Sequence, residues 1–188
     1  MSSVEDVETV EAIVQRDPEA LADLYARYSS MLAALAHRVL GDPSDAEEVL
    51  QETFLQVWNQ AERYDRLRSS VSTWLVLITR SRAIDRLRSR QVVQRTAIAA
   101  QREKVDLHTS PEGVGHVLTD ERGKRLDEAM GDLPLEQREV LELAFYKGMT
   151  QSEIAEHSGI PLGTVKTRTL LAMKKLRRAL EEEIRELL

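Results

Sequence analysis

Residues 150–168 read Thr150-Gln-Ser-Glu153-Ile-Ala-Glu-His-Ser-Gly159-Ile-Pro-Leu-Gly-Thr-Val-Lys-Thr-Arg168, the plan of a helix-turn-helix. Thr150 and Glu153 have the spacing of a capping box, which starts a helix by satisfying its first free N–H groups. Ile154 and Ala155 face inward, Gly159 permits the tight turn, and a second helix begins near Leu162. Winding that second helix at about 100° per residue places Leu162, Val165, Thr169, Ala172 and Leu176 on its buried side. Thr167, Leu170, Leu171, Lys174 and Arg178 then point outward, flanked by Lys166, Arg168 and Lys175. Cations on such a face suit phosphates or guanine, and threonine and leucine suit thymine methyls in a major groove. The competing reading is a helical hairpin whose basic side is merely solvated; its exposed leucines count against that.

Around this motif the sequence reads as helices near 121–131, 135–146, 151–158 and 162–185, broken by Gly131-Asp-Leu-Pro134, Lys147-Gly148-Met149 and Ser158-Gly159-Ile160-Pro161. Upstream, periodicity fades from about Gln91 to Thr119, and His108-Thr-Ser-Pro-Glu-Gly-Val-Gly-His116 collects the turn residues of an exposed linker. The expected division is a first domain at 1–92, a linker at 93–119 and a second domain at 120–188.

The first domain reads as helices too. Leu21, Leu24, Tyr28, Leu32, Leu35 and Val39 form one stripe of a helix ending near Gly41. Asp42-Pro43 punctuates it, and Ser44 with Glu47 has capping-box spacing for the next helix. There Ala46, Leu50, Thr53, Phe54, Val57 and Ala61 form the buried stripe, leaving Glu48, Gln51, Glu52, Leu55 and Asn59 outward. A third helix, within Ser72–Arg90, is apolar at its start and basic at its end; Val71, Trp74, Leu75 and Ile78 share a stripe, so Trp74 reads as core. Whether the acidic segment Val4–Val14 is a helix with contacts of its own stays open.

Composition agrees. With 8 glycines, 5 prolines and 4% aromatics in 188 residues, the fold class expected is all-α, as two small helical domains. There is no cysteine, and His37, His108, His116 and His157 lack ligand spacing, so neither metal nor cofactor is expected. No stretch approaches the roughly eighteen apolar residues of a membrane span, and the start is acidic, so no membrane insertion and a cytoplasmic location are expected.

A net charge of −6 argues at first against a polyanionic partner, but the charge is segregated. Residues 1–62 carry three arginines against thirteen carboxylates, whereas residues 63–95 carry nine arginines against Asp65 and Asp85. Lys166, Arg168, Lys174, Lys175, Arg177 and Arg178 follow with no acid between them. Two basic segments on an acidic chain suggest two separate contacts with a polyanion.

Three stretches together resemble the extracytoplasmic-function group of sigma factors. Asp45-Ala-Glu-Glu-Val-Leu-Gln-Glu-Thr-Phe-Leu-Gln-Val-Trp58 is similar to that family's polymerase-binding helix, Ser72–Arg90 to its minus-ten helix, and Leu133–Leu180 to its minus-thirty-five domain. The resemblance implies that Asp45, Glu48, Gln51, Glu52 and Leu55 dock on the clamp of the largest subunit of core RNA polymerase, the other domain meeting the flap of the second-largest subunit. It implies that Arg80, Arg82, Arg86, Arg88 and Arg90 hold the separated strand of the minus-ten element, with Asp85 reading equally as an internal ion-pair partner or as a functional residue, and that the loop Arg63–Ser70 carries minus-ten specificity. Thr164, Lys166, Thr167, Arg168, Leu170, Leu171, Lys174 and Arg178 would contact duplex minus-thirty-five DNA. An anti-sigma factor is also implied. One departure is that Leu170-Leu171-Ala-Met173 stands where the family usually continues with basic residues, which leaves base-by-base assignments open.

The rival reading is a stand-alone helix-turn-helix regulator whose first helices sense a ligand or dimerise. It explains neither the acidic helix nor the arginine helix. No nucleophile set or phosphate-cradling glycine loop points to an enzyme.

Overall fold

The computed structural model describes the backbone of residues 4–101 and 121–180, and side chains at 4–93 and 125–180. Every long element among them is an α-helix. The chain divides between Gly115 and His116 into two compact units.

In the first unit α1 (Val4–Val14), α2 (Pro18–Leu40), α3 (Pro43–Gln60) and α4 (Val71–Gln101) surround one core, with a 3-10 turn at Ala61–Arg63. Two helices open the same way. An aspartate caps the end and a proline, whose fixed φ suits the first turn and which has no N–H to lose, follows it. Asp17 accepts from the Glu19 N–H ahead of α2, and Asp42 accepts from the Asp45 N–H at 2.9 Å ahead of α3. The Ser44–Glu47 capping box is therefore corrected: Asp42-Pro43 already starts the helix, placing Ser44 inside its first turn. α2 stops at Gly41, whose φ of 70° an L side chain adopts at a cost, and whose N–H reaches the His37 carbonyl at 2.7 Å.

The core joins Leu24 and Leu32 of α2, Leu50, Phe54 and Val57 of α3, and Val71, Leu75 and Ile78 of α4. Trp74 packs at its edge with its ring 5.3 Å from Tyr64. The acidic first segment belongs here as well. α1 buries Val10 and Ile13, and its Asp6 accepts from Arg27 at 2.6 Å and from the Tyr28 hydroxyl at 2.7 Å. Burial and then that hydrogen bond push the Tyr28 hydroxyl well above the usual tyrosine range. Arg16, just beyond α1, adopts φ 67°, donates to the Trp58 carbonyl at 2.7 Å and lies 5.4 Å from that ring's centre.

α4 runs on to Gln101, past residue 93 where the sequence places the start of the linker. The amphipathic pattern fades there, but no glycine or proline interrupts residues 91–101, and Gln, Arg and Ala favour a helix by propensity alone. The His108–His116 turn cluster lies outside the described residues.

The second unit holds α5 (Glu121–Gly131), α6 (Leu135–Tyr146), α7 (Gln151–Ser158) and α8 (Leu162–Ala179). Val140, Ile154 and Val165 form its core, with Leu143, Met149, Ala155 and Ile160 packed against them. The stretch from 181, included in the expected last helix, lies outside the described residues. No helix among the described residues is long and apolar enough to cross a membrane.

Candidate nucleic-acid interface

α7 and α8 are joined by a turn that local chemistry dictates. Glu153 N–H reaches the Thr150 hydroxyl at 3.3 Å, and the Glu153 carboxylate accepts from the Thr150 N–H at 2.7 Å, so the capping box is reciprocal. Gly159 ends α7 at φ 65°, its N–H bonded to the Ala155 carbonyl. Pro161 then precedes α8, whose Val165 and Ala172 are fully buried. Thr169 and Leu176 are half-buried on the same side, but Leu162 is exposed, because it stands at the first turn, beyond the reach of the packed neighbours.

The outer face of α8 exposes Lys166, Thr167, Leu170, Leu171, Lys174 and Arg178, whereas Thr164 and Arg168 are half-buried. Leu170 retains 68% of its surface and Leu171 43%, and Met173, which the helical wheel leaves unassigned, retains 54%. The Thr167 hydroxyl donates to the Gly163 carbonyl at 2.9 Å. Cations and apolar groups thus share one accessible face with no carboxylate of α8 among them.

The first unit differs from the sequence picture. On α3, Glu48, Gln51 and Leu55 are exposed, Leu55 at 61%, and Glu52 is half-buried. Asp45 is buried at 7%. Facing Asp45, Glu48 and Glu52 across the helix contact are α4 arginines. Arg82 donates to Gln56 at 2.9 Å and to Glu52 at 2.7 Å. Arg86 donates to Asp45 at 3.1 Å, pairs with Glu48 and reaches Glu52 at 3.8 Å. Arg90 pairs with Asp45.

So the anionic face of α3 and part of the cationic face of α4 are one seam, not two separate surfaces. Asp85, a candidate internal partner for these arginines, is exposed and lines the same groove as Glu52, Arg82, Arg86, Ser89 and Arg90. The missed partner is α3. A signal for it exists: Asp45, Glu48, Glu52 and Gln56 step by three or four residues, as do Arg82, Arg86 and Arg90, so each set forms one stripe that antiparallel packing brings together. The remaining minus-ten candidates are Arg88, which is exposed, and Arg80, half-buried, whose guanidinium pKa is lowered by burial first and by the Arg88 charge second. Arg63, Arg66 and Arg68 stand exposed on the connection between α3 and α4, with Leu67 between the last two at 90% exposure.

The Sigma-70 region 2 family matches residues 24–93, and the Sigma-70 region 4 family matches residues 123–176. The ECF RNA polymerase sigma factor SigK of Mycobacterium sp. (strain KMS) is 34% identical over 168 residues, spanning 89% of this chain and 86% of the relative. SigK of Mycobacterium tuberculosis (strain ATCC 25177 / H37Ra) is 31% identical over 169 residues, spanning 90% of each. A crystal structure of Rhodobacter sphaeroides SigE in complex with the anti-sigma ChrR shares 30% identity, with 93% of this chain and 97% of that one covered and a TM-score of 0.48. With relatives at this identity along most of both chains, and both Sigma-70 regions matched in order, the chain belongs to the ECF RNA polymerase sigma factors, regulatory proteins that direct core RNA polymerase to promoters.

Proposed function

We propose the following division of labour within this sigma factor. Residues 1–92 bind polymerase and the minus-ten element, residues 93–119 connect, and residues 120–188 bind the minus-thirty-five element. The exposed Glu48, Gln51 and Leu55 of α3, with Glu52 beside them and Asp45 behind, dock on the clamp of the largest polymerase subunit. Arg80 and Arg88, with Arg82, Arg86 and Arg90 once their carboxylate partners let go, and the loop Arg63–Ser70, hold the melted non-template strand. The α8 face of Thr164, Lys166, Thr167, Arg168, Leu170, Leu171, Lys174 and Arg178 reads duplex DNA while this unit meets the polymerase flap. An anti-sigma factor covers these faces when the regulator is off. The chain itself catalyses nothing and works in the cytoplasm without cofactor or metal.

The observation that carries the reading is the outer face of α8, where cations and apolar side chains are accessible together on a helix held by the Gly159 turn. For polymerase docking, Glu48→Arg is the better perturbation than a change at Glu52, because Glu48 is more exposed and pairs with Arg86 alone among the described residues, whereas Glu52 meets two α4 arginines and its loss loosens the helix contact more. Glu48→Arg is expected to abolish co-purification with core polymerase while circular dichroism stays unchanged; normal co-purification refutes the docking face. Run-off transcription on genomic fragments tests the whole, and RNA synthesis no greater than with core polymerase alone refutes it.

A further inference from the structure

The α3–α4 seam sets three carboxylates, Asp45, Glu48 and Glu52, against three arginines, Arg82, Arg86 and Arg90. A guanidinium recognises carboxylate and phosphate through the same planar fork. Arg82 is already engaged by Glu52 and Gln56, and Arg86 touches three carboxylates with only 27% of its side chain exposed. A phosphate approaching this groove meets formal charges that cancel, with the exposed Asp85 adding a further negative one. It competes with those carboxylates for the same guanidinium donors.

We propose that Asp45, Glu48 and Glu52 act as an internal substitute for phosphate, holding Arg82, Arg86 and Arg90 away from DNA in the free chain. Glu48 and Glu52 retain 56% and 41% of their side-chain surface, so a partner can take them from outside, while Asp45 at 10% stays with α4. When a basic protein surface takes Glu48 and Glu52, Arg82 is released and Arg86 partly so, and both become available to a single strand. Protein docking on α3 and strand capture on α4 thereby favour each other, and the coupling is reciprocal. This rests on the reading above that α3 meets polymerase and α4 meets the melted strand.

The test is binding of a fluorescent single-stranded oligodeoxynucleotide to the full chain by anisotropy, across a series of salt concentrations. Glu48→Gln with Glu52→Gln is expected to bind more tightly and to steepen the log–log salt dependence by about 0.7 to 1.4, the value for one to two added phosphate contacts on a single strand. Glu11→Gln with Glu47→Gln is the charge-matched control, since both carboxylates are exposed and neither forms an ion pair with Arg82, Arg86 or Arg90; it is expected to leave the slope unchanged. Arg82→Ala is expected to flatten the slope of the released variant more than that of the native chain. An unchanged slope in the released variant, an equal gain in the control, or an equal loss from Arg82→Ala in both backgrounds overturns the proposal. Circular dichroism checks that each variant is folded, and Arg82→Ala in the native background needs no change to α3. If the released variant does not bind while the holoenzyme does, only this proposal fails; if the holoenzyme also fails to bind the strand, the reading of α4 falls with it.

Discussion

Ile154→Ala separates the two units by stability. Ile154 has no exposed surface and lies between Val140 and Val165, with Leu143, Met149, Ala155 and Ile160 packed around the same cluster. Truncation removes three carbons, a transfer loss of about 2.4 kcal/mol at roughly 0.8 per methylene, and a cavity term raises the total to about 3–4 kcal/mol, within the usual range for such a change. Residues 121–180 are a small unit, for which a total stability of about 3–9 kcal/mol is expected from per-residue averages. The substitution therefore consumes a large share of what holds α7 against α8. Native-state hydrogen exchange on the full chain reads this directly. Amides of α6, α7 and α8 are expected to exchange about 100- to 1000-fold faster, and those of α2 and α3 at their original rate. Duplex binding is expected to fall while polymerase co-purification persists. A change below tenfold in α6–α8, or an equal acceleration in α2 and α3, refutes the reasoning.

Lys174→Ala and Arg178→Ala are each expected to flatten the salt dependence of duplex binding by up to about 0.9, one phosphate contact; slopes unchanged in both variants would discredit the α8 face. Arg16→Ala is expected to lower stability by about 1–2 kcal/mol through loss of the Trp58 carbonyl bond and ring contact. Arg16→Gly is expected to cost less, because glycine adopts φ 67° without strain; chemical denaturation that ranks glycine below alanine contradicts this. The raised Tyr28 pKa means that the folded chain keeps a proton that the unfolded chain releases above about pH 10. Its contribution is present in full below that pH and declines as pH rises further, so thermal midpoints of the native chain should fall more steeply above pH 10 than those of Tyr28→Phe; parallel profiles would disprove the assignment.

Much of the second unit is legible in the sequence because its signals are local. The bounds of α5, α6 and α7, the start of α8, the Thr150–Glu153 box and the Gly159 turn all follow from residues within a turn of one another. The buried stripes of α2 and α3 are legible for the same reason. Less is legible where two local signals compete: Asp42-Pro43 and Ser44–Glu47 both read as helix starts, and the helix begins at the aspartate cap with proline behind it. α1 is obscured because its buried face is short and includes Asp6, which reads as a surface residue until Arg27 and Tyr28 are seen to satisfy it.

Helix content, the ends marked by a single cap or turn signal and which residues of a helix share a stripe are determined by the sequence alone, since hydrogen bonds and caps act over three or four positions. Which stripe meets which is decided only by packing. Asp45 and Arg86 lie 41 positions apart and are joined because α3 and α4 run antiparallel around Phe54, Leu75 and Ile78. Segregated charge along the chain therefore became neutralised charge in space, since burying one side of each helix in a common core leaves acids and arginines at the same edge.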